Sequence, residues 1–258
     1  MKNLFKYAFA LVASALMMSA CTDEYEYDVP AAYEGAYITS DAASYTFTPA
    51  DEQQTFSVKV VRPQGGPAKT IRIQSDNELF EVPSSVTFEE GQTEAEITVT
   101  ADLAPGQTET LHITLPEGTY DLNYFGGTFT VTVNCEFIWE EAGKAIFYDY
   151  AFTGAENLVD VEHAVGTNLY VLKAPFRQGY DIQFYLDDDY NALTLPASQQ
   201  TGFVHSTYGA VEMVYNPQEA GFFNDGYEFA MYVRFNVSIG SFGLAWFYFD
   251  WIEGYPGE

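Results

Sequence analysis

Oxygen-bearing side chains between two predicted strands could bind a metal ion. Asp187, Asp189 and Asn191 follow an Asp-x-Asp-x-Asn spacing, which places hard oxygen donors on one side of a tight loop, as at the start of many calcium loops. Ala192 stands where an EF-hand loop has glycine, and the distal glutamate of that motif is missing. Because Asp and Asn also favour plain hairpin turns, both interpretations stay open, a turn or a calcium site. No other cofactor is expected.

Aromatic residues are concentrated in the second half of the chain, and their chemistry suits sugar recognition. Tyr and Trp rings stack on the C–H faces of sugars, while carboxylates and amides bind the hydroxyl groups. Most aromatic residues of a β-protein belong to its core. The candidate ligand-binding residues are therefore the aromatic residues predicted in loops, namely Tyr190, Tyr208, Phe222, Phe223 and Trp251.

Motifs for catalysis are not found in the sequence. It has no G-x-S-x-G elbow, no H-E-x-x-H motif and no cysteine–histidine pair of the kind found in catalytic triads. With 37 acidic residues, every carboxylate spacing arises by chance, so a pair of carboxylates does not by itself indicate a glycosidase. We therefore expect a non-enzymatic protein, and a carboxylate-based hydrolase is the remaining alternative.

The N-terminus has the pattern of a secretory leader. Lys2 and Lys6 precede an apolar run from Tyr7 to Met18, which is too short to span the roughly 30 Å of a bilayer core. A charged start, a short apolar segment and small residues at the end are typical of a signal peptide. Residues 1–20 are predicted to be that peptide.

The end of the leader, Met18-Ser19-Ala20-Cys21, resembles the bacterial lipobox. This resemblance implies that Cys21 carries two or three acyl chains, which attach a protein durably to a membrane. The acidic residues that follow in the predicted tether, 21–34, are similar to the export signal of Bacteroidota-type surface lipoproteins. That similarity implies a lipid-anchored, surface-exposed protein of the outer membrane, and a solvated charged tether is the alternative.

Charge and composition exclude some partners. The chain has 10 basic and 37 acidic residues and a formal net charge of −27, which repels nucleic acid, so we expect no nucleic-acid partner. An apolar content of 47% and an aromatic content of 17% predict a folded chain with a substantial core.

Residues 35–134 show the two-residue period of half-buried strands. Apolar residues alternate with polar ones at 56–60, 97–99, 111–115 and 129–133, and Gly- and Pro-containing turns separate these runs. Seven or eight such strands predict an immunoglobulin-like β-sandwich. Cys135 directly follows this region and is expected to be a small buried residue.

The segment 86–99 resembles a Calx-beta domain. It has Phe88, a turn with Gly91 and Thr93, and an alternating strand, and Glu109 then leads into the last strands. Calcium-binding members of that family carry paired aspartates near a strand end, whereas Asp102 stands alone here. The resemblance therefore implies a β-sandwich without a complete calcium site, acting as a spacer.

Residues 135–258 predict a second all-β domain, an aromatic-rich sandwich or barrel. The run 244–249 is apolar at every position, so this strand is buried on both faces or offers an aromatic surface on one. Segments 139–143, 208–209 and 240–243 resemble C-terminal portions of uncharacterised Bacteroidota surface lipoproteins, which implies a location and an architecture. The protein is thus predicted to bind a glycan or another extracellular ligand through this domain, or alternatively to be a structural or adhesive protein with a protein partner.

Overall fold

The computed structural model describes residues 35–119, 127–190 and 192–257. Within these ranges no helix has the length and apolar character that a membrane span requires. The strands, in chain order, are β1 (Tyr37–Thr39), β2 (Ser44–Phe47), β3 (Gln54–Val61), β4 (Lys69–Arg72), β5 (Gln74–Ser75), β6 (Phe80–Glu81), β7 (Ser85–Phe88), β8 (Glu94–Ala101), β9 (Thr108–Thr114), β10 (Thr128–Cys135), β11 (Trp139–Tyr148), β12 (Glu156–Ala164), β13 (Leu169–Arg177), β14 (Tyr180–Leu186), β15 (Leu193–Thr194), β16 (Ser198–His205), β17 (Gly209–Val214), β18 (Phe223–Asp225), β19 (Glu228–Val237) and β20 (Gly240–Glu253).

The first ten strands form a β-sandwich, as the sequence predicted. Two four-stranded sheets have the orders β1-β3-β8-β6 and β2-β10-β9-β5, and β4 pairs with β7. β2 runs parallel to β10, and the other pairs are antiparallel. Alternate residues such as Val58, Val60 and Val99 are buried between the sheets, and Cys135 is buried with them, where burial raises the pKa of its thiol. The all-β, immunoglobulin-like interpretation of this half is confirmed.

A buried arginine ties two loops of the sandwich together. Arg62 is 3% exposed, and its guanidinium donates hydrogen bonds to the carbonyl oxygens of Pro67 (3.0 Å) and Gln92 (2.7 Å). The same group lies over the ring of Phe88, 4.6 Å from its centroid. A buried charge is tolerated only when it is well hydrogen-bonded, so Arg62 holds the loops after β3 and β7 in place.

The second half forms one large antiparallel sheet that curls on itself. Its order is β15-β14-β13-β12-β11-β20-β19-β17-β16, with β18 beside β19. At the open seam, the side-chain amide of Gln199 in β16 accepts from the Gln183 N–H (2.7 Å) and donates to the Gln183 carbonyl (2.9 Å) in β14. This contact links the two ends of the sheet, which is a curled half-barrel and is called the barrel below.

The barrel interior is filled by apolar side chains and is therefore a packed core. Phe147, Phe184, Phe247 and Phe249 are all buried within it. Trp251 joins them, with 2% of its surface exposed, and its indole N–H donates to the Ala142 carbonyl (3.1 Å). The placement of Trp251 in a loop was therefore wrong. It lies in β20, in phase with the inward-facing Phe247 and Phe249.

A short connection, residues 136–138, joins β10 to β11. The Glu136 N–H donates to the Phe47 carbonyl (2.7 Å), and the Ile138 carbonyl accepts from the Val165 N–H (2.9 Å). The Phe137 ring covers Gly106 so closely that a Cβ there would lie 2.1 Å from it. The buried apolar residues form two clusters, one on each side of this connection. The predicted boundary between 134 and 135 remains our proposal for the domain division.

Arg62→Met is expected to lower the free energy of unfolding by about 2–4 kcal/mol, because the carbonyls of Pro67 and Gln92 lose the charged donor that joins their two loops. Urea unfolding followed by circular dichroism measures this change. Arg72→Met, at an exposed position of β4, is the matched control and should shift the midpoint little. Equal effects of the two variants would contradict the anchoring role of Arg62.

Candidate ligand-binding site

A groove lies on the outer face of the barrel, where β18, β19 and β20 run side by side. Phe223 pairs with Ala230, and Ala230 pairs with Tyr248, so the three residues form one row across the strands. Cross-strand partners share a face of the sheet, and the small Ala230 therefore makes a gap between two aromatic rings. The groove has a volume of about 340 Å³ and is lined by Tyr150, Phe223, Glu228, Ala230, Trp246 and Tyr248.

Stacking holds the rings around this groove in place. The rings of Tyr148 and Tyr248 lie 4.6 Å apart at 19°, and Tyr150 lies nearly parallel to both, at 5.9 and 6.1 Å. Trp246 stacks on Tyr232 with centroids 3.9 Å apart. Tyr150 and Trp246 are 56% and 37% exposed. Rings that are ordered by neighbours and yet exposed lose little conformational freedom when they bind a ligand.

Asp250 raises the pKa values of two of these tyrosines. The Tyr148 hydroxyl donates to its Oδ2 (2.8 Å), and this hydrogen bond, followed by burial, raises the pKa of Tyr148 to about 12. Burial, followed by a hydrogen bond to Asp250, also raises the pKa of Tyr248. Both phenols therefore stay neutral at physiological pH. Glu228 adds a carboxylate, and none of the six lining residues is basic.

A second cavity, the mouth pocket, opens at the end of the barrel next to the groove. Its volume is about 340 Å³. His205 lines it, and the Nδ1 of this ring accepts from the N–H groups of Thr207 (3.1 Å) and Tyr208 (3.3 Å). The ring also stacks on Tyr208, 4.7 Å away. Tyr150 contributes to the groove and to this pocket, whose lining is Tyr150, Ala151, Phe152, Phe203, His205, Phe235, Phe242, Gly243, Leu244 and Ala245.

The predicted loop residues do not come together in one place. Phe223 lines the groove, and Tyr208 is 41% exposed beside the mouth pocket. Phe222 is exposed next to Phe223 but lines neither cavity. Tyr190 packs against the barrel core and accepts a hydrogen bond from Tyr255 at its carbonyl. With Trp251 buried, two of the five residues belong to the aromatic region of the groove and the mouth pocket.

The site contains residues that loop-based reasoning missed. Tyr148, Trp246 and Tyr248 lie in strands, and Tyr150 directly follows β11. The signal for Trp246 and Tyr248 was the uniformly apolar run 244–249, for which burial on both faces is the commoner outcome. Leu244 and Trp246 are instead exposed while Phe247 is buried, so this strand offers an aromatic surface on one side.

The acidic loop forms a hairpin turn between β14 and β15. Asp187 Oδ1 accepts from the Ala192 N–H (2.9 Å), and the Tyr190 N–H donates to the Asp187 carbonyl (3.0 Å). Asp189 is exposed, and Asn191 lies outside the described residues. Among the described residues no group of three or more His, Cys, Asp or Glu side chains is arranged to hold a metal ion. Calcium binding at Asp187, Asp189 and Asn191 stays a prediction.

Two carboxylates outside the groove are engaged by a lysine. Lys173 Nζ lies 2.6 Å from Asp181 and 3.4 Å from Glu162, and the hydrogen bond that it donates to Asp181 is the main cause that raises the pKa of Lys173. These residues share a polar cavity with Trp139. Both carboxylates are thus engaged in ion pairs with Lys173.

No family model and no curated protein matches this sequence. Several solved structures are similar in fold. A Bacteroides ovatus protein of unknown function has a TM-score of 0.40 and 10% identity, with 88% of each chain covered. A candidate carbohydrate-binding protein from Bacteroides ovatus has a TM-score of 0.32 and 10% identity over 85% of this chain and 71% of that chain. The calcium-binding domain CBD12 of CALX1.1 has a TM-score of 0.31 and 12% identity over 54% and 78%. At these values none of them assigns a function to this chain.

Asp250→Asn is expected to make tyrosinate form at lower pH. In the native protein Tyr148 keeps its proton between the ordinary pKa of 10.0 and about 12, whereas an unfolded chain loses it. The stability contributed by this proton is therefore complete below pH 10 and is lost as the pH rises towards 12. Near-UV absorbance of tyrosinate in a pH titration measures the change. Asp160→Asn, at an exposed position of β12, should leave the curve unchanged, and matching curves for both variants would contradict the role of Asp250.

Proposed function

We propose that this protein is a non-enzymatic surface protein that binds a neutral glycan in the groove of its second half. The observation that carries the proposal is the row Phe223, Ala230 and Tyr248, in which a small residue separates two aromatic rings on adjacent strands. Trp246 and Tyr150 extend the aromatic surface around that gap.

Sugar rings suit this arrangement for a chemical reason. Their C–H faces pack on aromatic rings, and their hydroxyl groups need acceptors and donors close by. Glu228 at the groove supplies carboxylate acceptors. Tyr148 and Tyr248 remain neutral phenols because their pKa values are raised. Their O–H groups are hydrogen-bonded to Asp250, so the Tyr248 oxygen at the groove can accept a hydrogen bond from a sugar hydroxyl.

Charge selects the class of glycan. Glu228 lines the groove and Asp250 lies beneath its rings, while the whole chain carries a formal charge of −27. A uronic acid or sulfate in this groove would meet like charges, each worth about 1 kcal/mol at 4 Å even in water. Neutral glycans avoid this repulsion, so we propose a neutral glycan as the ligand.

The anchoring of the protein is part of the same proposal. Cys21 and the acidic tether 21–34 lie outside the described residues, so the argument rests on the leader and its lipobox resemblance. We propose that acylated Cys21 attaches the chain to the outer membrane and that the tether leads it to the cell surface. The β-sandwich of residues 35–134 then acts as a spacer for the barrel.

A protein partner is the second candidate function, and a specific feature supports it. Ile239, in the turn between β19 and β20, is 76% exposed, and Val204 at the end of β16 is 66% exposed. Exposed apolar side chains of this kind mark interaction surfaces when they are contiguous with others. Phe242 and Leu244, which are 50% and 45% exposed, follow Ile239 closely in β20.

Trp246→Ala and Phe223→Ala are each expected to weaken binding of a neutral polysaccharide about tenfold, because a lost stacking ring costs roughly 1.4 kcal/mol. Isothermal titration with neutral glucans, mannans and xylans, and with a uronic-acid polymer for comparison, measures the effect. In the native protein, binding should also change the fluorescence of the exposed Trp246.

Tyr185→Ala is the matched control for these two variants. Tyr185 is an exposed aromatic residue of β14 and does not line the groove, so its loss should leave affinity unchanged. If no neutral polysaccharide bound, or if Tyr185→Ala weakened binding as much as Trp246→Ala, the proposed glycan site would be wrong.

Cys21→Ser is expected to move the protein from the membrane fraction to the soluble fraction of the cell, because the thiol that would carry the lipid is replaced. Fractionation and mass spectrometry of the N-terminal peptide measure this. Cys135→Ala changes the other cysteine, which is buried in the sandwich, and should remain in the membrane fraction. A native protein without lipid on Cys21 would disprove the anchor.

A further inference from the structure

The wall of the barrel has an open edge beside the mouth pocket. β19 pairs with β20 from Gly240 to Asp250, whereas β11 pairs with β20 only from Tyr248 to Glu253. β11 ends at Tyr148, and the chain then turns away. Residues 241–247 of β20, which we call the open edge, therefore have a partner strand on one side only among the described residues.

The alternation of the ladder shows which backbone groups face outward from this edge. The Trp251 N–H donates to the Tyr227 carbonyl (2.9 Å), on the side of β19. Backbone groups alternate in direction along an antiparallel strand, and the β19–β20 register is continuous from Asp250 to Gly243. Leu244 and Trp246 therefore present their N–H and C=O groups to the open side.

A β-bulge at Phe242 and Gly243 interrupts the open edge near its start. Natural proteins protect edge strands with such bulges, with charged residues, with proline or by keeping the strands very short, and Leu244 to Phe247, beyond the bulge, have none of the other protections. The open edge contains no charged residue and no proline, and it reads Ser241, Phe242, Gly243, Leu244, Ala245, Trp246 and Phe247. The unpaired backbone groups beyond the bulge are a template for pairing with another chain.

We propose that the open edge binds an extended segment of a partner protein, which adds a strand to β20. In this mode main-chain hydrogen bonds provide affinity, and a pocket for a side chain provides specificity. The mouth pocket lies beyond the end of β11. Residues 150–152 line one side of it and residues 243–245 line the other. One large apolar side chain of the segment occupies this pocket.

One polar group in the pocket adds to its specificity. Nδ1 of His205 accepts two backbone N–H groups, so in the neutral ring the proton resides on Nε2, which is a donor. The other walls are mainly apolar, with Phe152, Phe203 and Phe235 among them. A bulky side chain with one hydrogen-bond acceptor, such as tyrosine or methionine, matches this lining.

Charge argues for a neutral or basic segment from another protein. Glu228 and Asp250 form a cross-strand pair close to Phe247, the last residue of the open edge. Each copy of this chain has a formal net charge of −27. Edge-to-edge pairing of two copies would bring two such charges together, which long-range repulsion opposes. The proposal does not depend on glycan binding, because Leu244 does not line the groove.

A labelled peptide tests this strand addition. The probe is about eight residues long and alternates Val and Thr around a central Tyr, with Lys at both ends. Its matched controls are the same peptide with alternate backbone nitrogens methylated, and a version with Glu in place of Lys. We expect the first peptide to bind at least about tenfold more tightly than either control in fluorescence anisotropy.

Leu244→Pro removes one outward N–H and is tolerated at a strand edge, so it should reduce peptide binding about tenfold. Leu244→Thr keeps that N–H and should bind normally. Circular dichroism establishes whether both variants fold. Independently of any variant, hydrogen exchange in the native protein should show that the amides of Leu244 and Trp246 exchange fast and become protected by the peptide.

Three results would overturn the proposal. The first is a methylated peptide that binds as well as the unmodified one, and the second is the absence of binding by the unmodified peptide. The third is slow exchange at Leu244 and Trp246 in a native protein that is dimeric by light scattering, which would assign the edge to a second copy. Glycan titration of Leu244→Pro should match that of the native protein, so failure here is distinct from failure of the glycan site.

Discussion

Packing of alternate side chains of β19 and β20 into the barrel is the constraint on which the surface depends. Phe229 stacks on Phe249 at 5.2 Å, and Phe247 meets Phe249 edge-on at 5.8 Å. A slip of one residue would turn this whole set outward, so the register is strongly specified. Once these rings point inward, Trp246 and Tyr248 have to point outward. The aromatic groove is thus a consequence of core packing in the same two strands.

The unequal lengths of β11 and β20 account for the other surface features. β11 ends at Tyr148, opposite Tyr248, whereas β20 begins at Gly240 and so extends past the end of β11. The gap produces the mouth pocket and leaves the open edge. It also brings Tyr150, the second residue after β11, to the boundary between groove and pocket. A glycan site and a strand-addition site would therefore be neighbours on one end of the barrel, where a ligand on one could influence access to the other.

Acidic residues give these surfaces a common electrostatic character. The excess of 37 acidic over 10 basic residues produces electrostatic repulsion between copies of the chain and attraction for basic groups. Three of the basic groups are engaged by other groups of the chain. Arg62 is buried against carbonyls of the sandwich, Lys173 pairs with two carboxylates, and Arg234 pairs with Glu219. The excess of acidic residues thus disfavours anionic ligands.

The amino-acid sequence by itself determined the all-β class, the sandwich of the first half and the burial of Cys135, because strand alternation and turn residues are local signals. It did not determine the site. Tyr148 and Asp250 are hydrogen-bonded although they lie 102 positions apart, and Phe223 meets Tyr248 across Ala230 only through the register of three strands. Trp251 likewise became core through its phase in β20. Only the tertiary structure decided these placements, because pairing between distant strands depends on packing of the whole barrel and has no signature within any one segment.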